Sequence, residues 1–267
     1  KPIWDAYREL AIETIGRPIA FTTSLGSTET APGALIGVRD VDRPGIVGVP
    51  HKGVELKLVP NAGKLEARLR GPNITPGYWR RPDLTQNAFD KEGFYLLGDA
   101  LRLAEPNNFA AGFEFDGRVA EDFKLATGTW VSVGPLRTDF VGKFDPLVKD
   151  AVVTGHDRDD VGMLVFPDEE QTRKLAPHLP PETPFDEVVT DQAVKDAFQE
   201  RLAAVARQST GSSTRVTRIA LMCEPPSIDL GEATDKGSLN QRAVLANRAQ
   251  HVEALYAAET RPNVIKL

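Results

Sequence analysis

Cysteine is almost missing from this 267-residue chain: Cys223 stands alone, so no disulfide forms within the chain and no cysteine cluster holds a metal. Lying in the apolar run RIALMC, that thiol is expected in the core. Histidine is also scarce. His51, His156, His178 and His251 are scattered without metal-ligand spacing, which sets aside a histidine metal centre or a histidine-based triad. No stretch approaches the ~18 consecutive apolar residues of a membrane span, and the opening residues KPIWDAYREL lack the apolar centre of a signal peptide, so a cytoplasmic protein is expected. Positive charge is not in excess either: Lys plus Arg number 32 against 38 Asp plus Glu, a net charge of −6. That balance argues against a nucleic-acid partner and still permits a local cationic pocket for a phosphorylated ligand. No internal repeat or low-complexity tract is visible.

What the chain does contain is enough apolar content, 41%, for one large core or two modest ones, and the length favours two. The stretch 117–136, GRVAEDFKLATGTWVSVGPL, reads as the joint. Before it, Gly- and Pro-punctuated short strands predominate; after it, strands alternate with a long amphipathic helix. The expected boundaries are therefore 1–118 and 119–267, in a mixed α+β fold. A helix is predicted over 3–15, with Trp4, Tyr7, Leu10, Ala11 and Ile15 at helical spacing and Gly16 and Pro18 ending it. Strands are predicted at 19–23, in GIVGVPH, in VELKLV, in GKLEARLRG beyond the turn Asn61-Ala62-Gly63, in FYLLGDALRL and in EFDGR, together a small antiparallel sheet or barrel. Further on, VKDAVVTG and VGMLVFP read as a hairpin closed by the polar turn 156–160. The Pro-rich stretch KLAPHLPPETPFDE reads as a surface connection. Asp191 caps a helix with Val194, Phe198, Leu202 and Val205 on its core face, RVTRIALMC is a strand, and a last helix starts near Asn240.

Several residues have the chemistry of a ligand site. The loop SLGSTETAP carries Gly26, Ser27, Thr28 and Glu29: glycine lets a backbone approach closely, hydroxyls donate to oxygens, and a carboxylate beside phosphates suits a divalent cation, although a plain strand-to-loop turn has the same composition. Asp99 ends an apolar strand, where a carboxylate accepts two hydrogen bonds from vicinal hydroxyls or caps a turn. Arg118 follows Gly117 with a fixed planar cation. Lys236, between Asp235 and Gly237, is a long cation on a flexible loop or an ordinary solvated lysine. Tyr78 and Trp79 read as packing residues.

The order of these features, with the segments GTWVSVGPLR and TDKGSLNQRAVL, resembles the C-terminal portion of an adenylate-forming acyl-CoA synthetase, and feruloyl-CoA synthetases in particular, over about residues 19–248. The resemblance implies a β-rich subdomain of the large AMP-binding domain in 1–118 and a small mobile α+β domain in 119–267. It implies ATP and AMP as ligands, Mg²⁺ at Glu29, and coenzyme A as co-substrate. Thr28 matches the threonine at the α-phosphate and Glu29 the magnesium ligand. Asp99 and Arg118 match the pair on the ribose hydroxyls, and Lys236 the lysine of the adenylation step. The resemblance further implies that after adenylation the C-terminal domain rotates and the loop from Lys124 to Trp130 replaces Lys236, with Gly128 lining the pantetheine passage. The implied reaction is ATP-dependent joining of an aromatic acid such as ferulate to coenzyme A. An adenylation domain loading a carrier protein and a non-catalytic nucleotide-binding module are the alternatives. Three departures stand out. Leu25 occupies a position that is usually aromatic, Ala120 a hinge position that is usually Asp or Lys, and no phosphate loop of the TSGSTGxPKG type is present. The resemblance thus implies a missing N-terminal half, without which these residues are expected to be inactive.

Overall fold

The structure, a computed structural model, describes residues 2–37, 40–41, 45–61 and 63–267. The chain divides into two compact units, 1–120 and 121–267, so the boundary falls two residues beyond the Gly117-Arg118 pair.

The first unit opens with α1 (Pro2–Ile15), which ends where Gly16 takes a left-handed φ of 72° and its amide reaches back to the Ile12 carbonyl. Of the expected apolar face, Trp4 stacks on Phe21 at 4.7 Å, whereas Tyr7, Leu10 and Ile15 are exposed. Strands β1 (Ser24–Leu25), β2 (Leu35–Ile36), β3 (Ile46–Pro50), β4 (Glu55–Asn61) and β5 (Lys64–Arg70) follow. Helix α2 (Pro82–Ala88), β6 (Tyr95–Leu103) and β7 (Phe113–Arg118) complete the unit. The strands form one sheet in the order β1-β2-β3-β7-β6-β5-β4, every pair antiparallel, so the sheet-or-barrel expectation resolves to a sheet with β1 and β4 at its edges. Ala62, in the predicted turn of the β4–β5 hairpin, lies outside the described residues. The strand expected at 19–23 is absent. That segment makes separate bonds instead, Gly37 N–H to the Thr23 carbonyl and Val41 N–H to the Phe21 carbonyl, without a continuous ladder. Leu35, Ala67, Leu69, Leu101 and Phe113 form the core, and Leu25, the departure noted above, packs against it.

The second unit begins with a two-stranded hairpin, β8 (Phe123–Lys124) and β9 (Trp130–Val131), then α3 (Val133–Phe144). Strands β10 (Val148–Thr154) and β11 (Val161–Pro167) form the expected antiparallel hairpin. Short helices α4 (Glu169–Arg173) and α5 (Phe185–Val188) flank the Pro-rich connection, and α6 (Gln192–Arg207), β12 (Val216–Leu221), α7 (Gln241–Asn247), α8 (Ala249–Tyr256) and β13 (Val264–Lys266) follow. The sheet order is β10-β11-β12-β13, with β11 and β12 parallel. Every residue of VGMLVFP is buried, which is what a central strand covered on both faces requires. Successive side chains alternate between two cores: Met163 and Val165 join the α3 and α6 residues Phe140, Phe144, Phe198 and Leu202, while Leu164 and Phe166 meet Val244 and Leu255 of α7 and α8. Cys223 is exposed, against the core expectation, because β12 ends at Leu221 and burial at Met222.

Candidate functional site

The 3-10 turn Thr28–Thr30 is held from three directions. Within it, the Ser27 amide donates to Thr30 Oγ1 at 2.8 Å and the Thr30 amide to the Ser27 carbonyl at 3.0 Å. From the loop after β5, the Thr75 amide donates to the Glu29 carbonyl at 2.8 Å, and Asn73 Nδ2 donates to the carbonyls of Thr30 and Gly33 at 2.8 and 2.9 Å. Gly26 is required for close approach: a Cβ there would stand 1.5 Å from the Pro32 carbonyl oxygen. The turn thus presents Thr28 exposed and Glu29 half-buried on a fixed backbone.

Glu29 is bound through its side chain as well. The Tyr78 hydroxyl donates to Glu29 Oε1 at 2.8 Å. Burial on its own pushes the Glu29 carboxyl up, but the Ser27 and Tyr78 hydroxyls and its own amide outweigh that and hold it below the ordinary carboxylate range. The hydrogen bond to Glu29, followed by burial and the neighbouring Tyr95, raises the Tyr78 phenol. Ser27 Oγ is buried beside the carboxylate, near enough to lower it, but falls short of full hydrogen-bond geometry with any of the described residues. Burial, reinforced by the negative charges of Glu29 and Asp99, raises the phenol of Tyr95, at the start of β6, against the influence of Tyr78 and Ser27.

Asp99 lies four residues further along β6 and pairs in register with Arg118 of β7. Arg118 Nε is 3.5 Å from Asp99 Oδ1, the carboxylate largely buried and the guanidinium two-thirds exposed. Asp99 lies midway along β6, not at the strand end expected; the ladder is irregular immediately after it, and the Val119 amide donates to the Gly98 carbonyl at 3.0 Å, tying the end of β7 to the middle of β6 beside the pair. In the first unit, then, the structure brings Ser27 and Tyr78 to Glu29, and Asp99 to Arg118. The sequence reading missed Tyr95 and took Tyr78 for packing. Tyr78 reaches Glu29 across 49 positions of sequence, a contact without local signal, whereas the spacing of four between Tyr95 and Asp99 on one strand was a usable one.

In the second unit, Lys124 Nζ lies over the Trp130 ring at 5.0 Å. The loop between them is closed by the Gly128 amide to the Leu125 carbonyl at 2.8 Å and the Leu125 amide to the Thr129 carbonyl at 3.0 Å. Gly128 has a φ of 83° and open space where a Cβ would be, so the backbone conformation selects glycine there and crowding does not. Lys236 is exposed at the tip of a small hairpin made by the Ala233–Leu239 bridge and the Thr234 amide to the Ser238 carbonyl at 2.9 Å. Among the described residues no group of three or more His, Cys, Asp or Glu side chains is placed to hold a metal ion, and no helix is long and apolar enough to cross a membrane. A lone ionised carboxylate with hydroxyls beside it suits a Mg²⁺ that keeps phosphate oxygens and waters as its other ligands.

Residues 123–260 match the family described as AMP-binding enzyme C-terminal domain, which covers more than half of the chain. The chain belongs to this family, within the adenylate-forming enzymes. It is 23% identical, over 92% of its length and 33% of the relative's, to a long-chain fatty-acid–acyl-carrier-protein ligase of Arabidopsis thaliana. It is 34% identical to a feruloyl-CoA synthase of an Amycolatopsis species, over 36% of this chain and 21% of that one. The solved A-PCP didomain of a carboxylic acid reductase from Segniliparus rugosus, in complex with AMP, superposes with a TM-score of 0.63 at 26% identity, covering 87% of this chain and 30% of that one. The chain spans a third or less of the length of these proteins.

Proposed function

We propose that this chain serves as the C-terminal portion of an ATP-dependent carboxylate–thiol ligase in a cytoplasmic setting, and that the first half of the active site comes from a preceding part of the same protein. The observation that supports the reading is the Asp99–Arg118 pair across β6 and β7, in the same unit as the fixed turn that presents Glu29. Asp99 accepts from the ribose hydroxyls of ATP and Arg118 donates to the same sugar. Gly26, Ser27 and Thr28 offer a close backbone and two hydroxyls to the α-phosphate. Glu29 holds Mg²⁺, which neutralises phosphate charge when bound. In the first half-reaction a carboxylate oxygen of the acid bonds to the α-phosphorus as the bond to pyrophosphate breaks, and Lys236 offsets the charge gathering there. In the second, a thiol sulfur bonds to the acyl carbon, AMP departs with the electron pair of the acyl–oxygen bond, and the thiol proton is released. The Lys124–Trp130 loop with Gly128 serves this step, so the second unit changes what it presents between the two.

Coenzyme A is the proposed thiol and an aromatic acid such as ferulate the proposed substrate, supported by the 34% identity to a feruloyl-CoA synthase over 36% of this chain. A carrier-protein thiol is a second reading, favoured by the much longer match to the acyl-carrier-protein ligase. The test is acid-dependent exchange of pyrophosphate into ATP by the full-length protein over a panel of aromatic and fatty acids, followed by trapping with coenzyme A or a phosphopantetheinylated carrier. Exchange with ferulate and a CoA thioester product supports the first reading; exchange with product only on the carrier supports the second. Absence of exchange with every acid removes both.

A further inference from the structure

The loop 224–240, between β12 and α7, carries Lys236, and a buried ion pair inside its base has no part in the chemistry described so far. Glu232 and Arg248 are only 1% and 9% exposed through their side chains. Arg248 Nε donates to Glu232 Oε1 at 3.0 Å and Nη2 to Oε2 at 2.8 Å, a two-pronged contact. The remaining capacity of both groups goes to the loop backbone. Arg248 Nη1 donates to the Glu224 carbonyl at 2.9 Å and Nη2 to the Pro225 carbonyl at 2.8 Å, while Glu232 Oε2 accepts from the Ser227 amide at 2.9 Å. Main-chain bonds complete the knot: Glu232 N–H to the Ser227 carbonyl and Asn240 N–H to the Glu232 carbonyl, both 2.8 Å. The start, middle and end of the loop are therefore tied to one guanidinium, which itself lies over the Phe166 ring at 5.1 Å. The hairpin 233–239, with Lys236 exposed at its tip, lies between Glu232 and Asn240 of the knot.

A buried ion pair is a poor way to gain stability, because an apolar pair of similar volume does as well or better. It is a good way to fix a backbone that has no secondary structure of its own, since each charge satisfies several carbonyls or amides at once. We propose that the Glu232–Arg248 pair is a positioning device for Lys236: it touches no substrate and sets where the hairpin tip holds the lysine ammonium during adenylation. The inference rests on the role proposed above for Lys236, and its structural part stands apart from that role.

Two measurements separate these. Hydrogen exchange on the 267-residue chain compares wild type with Glu232→Gln and with Asn247→Ala, whose exposed amide donates to the Leu230 carbonyl at 3.1 Å. Glu232→Gln is expected to speed exchange of the amides of Ser227, Glu232 and Asn240 by tenfold or more on the order expected for local opening, with β12 unchanged, and Asn247→Ala to produce a smaller rise in the same segment. In the full-length protein, Glu232→Gln should slow pyrophosphate exchange by roughly 10- to 100-fold through a displaced lysine, and leave transfer from a preformed acyl-adenylate to thiol within about threefold. Unchanged exchange in the loop of Glu232→Gln, or equal loss of both half-reactions, overturns the proposal. Faster loop exchange together with a wild type that forms no adenylate leaves the knot standing and refutes the function assigned to Lys236. If Glu232→Gln does not fold, the same two readouts on Arg248→Lys, which keeps the charge and loses the two-pronged contact, decide.

Discussion

Asp99 and Arg118 stand opposite one another across β6 and β7, with Arg118 Nε 3.5 Å from Asp99 Oδ1 and only the arginine open to solvent. In this arrangement the carboxylate is oriented before any ligand arrives, and the exposed guanidinium retains donors for a second acceptor. Losing a hydrogen bond to a charged group costs ~1.5–3 kcal/mol, so Asp99→Ala should weaken ATP binding to the full-length enzyme by roughly ten- to a hundredfold. Isothermal titration measures this, and an unaltered affinity takes Asp99 out of the site.

Tyr78→Phe removes the hydroxyl that donates to Glu29 Oε1 while keeping the ring. Burial then acts on the carboxyl with one fewer opposing donor, so its pKa moves upward. The acidic limb of the pH profile of pyrophosphate exchange should shift toward neutral pH. The Mg²⁺ concentration for half-maximal exchange should rise about 10- to 100-fold, as when a group supporting a metal ligand is lost. A profile and Mg²⁺ dependence identical to wild type would show that Tyr78 only packs.

Acid stability of the first unit should depend on Asp90. Hydrogen bonding from Lys57, then from the Phe94 amide and Arg68, holds its carboxyl well below the ordinary range despite partial burial. In the unfolded chain it titrates near ~3.9, so the unfolded state takes up the proton first as pH falls. Its stabilisation is complete above about pH 4 and disappears as pH falls further toward the folded value. Urea midpoints of the 267-residue chain at successive pH values should fall less steeply below pH 4 in Asp90→Asn than in wild type. Parallel curves would contradict this.

The regular parts of the fold were legible because their side-chain periods are strong. Val194, Phe198, Leu202 and Val205 recur at helical spacing and are buried on α6, and the unbroken VGMLVFP run is the buried centre of its sheet. Helix α3 was not predicted: its first residues, Val133 to Leu136, fall inside the presumed joint and include Gly134 and Pro135, poor helix formers in a helix interior. In the first turn of a helix proline loses nothing, and Asp122 Oδ1 accepts the Val133 amide there at 2.9 Å. The segment 19–23 has strand composition but finds only separated backbone partners. Cys223 sits one residue past the buried end of its run. At the site, Arg118 does end β7 at the joint, whereas Asp99, expected at a strand end, lies midway along β6 because the strand continues through Gly98 to Leu103. The bond from Tyr78 to Glu29 and the knot of Glu232 with Arg248 depend on loops meeting across long separations, which no local pattern records.

The central claim, that one chain serves two half-reactions through different groups, is tested most directly by measuring both in Lys236→Ala of the full-length enzyme. Loss of one charge-stabilising donor costs on the order of 10²–10³ in rate when the charge develops in that step, and nothing when it does not. Pyrophosphate exchange should therefore fall by about that factor, while transfer of a preformed acyl-adenylate to the thiol proceeds at the wild-type rate. Equal loss of both steps, or retention of full exchange, would contradict the account.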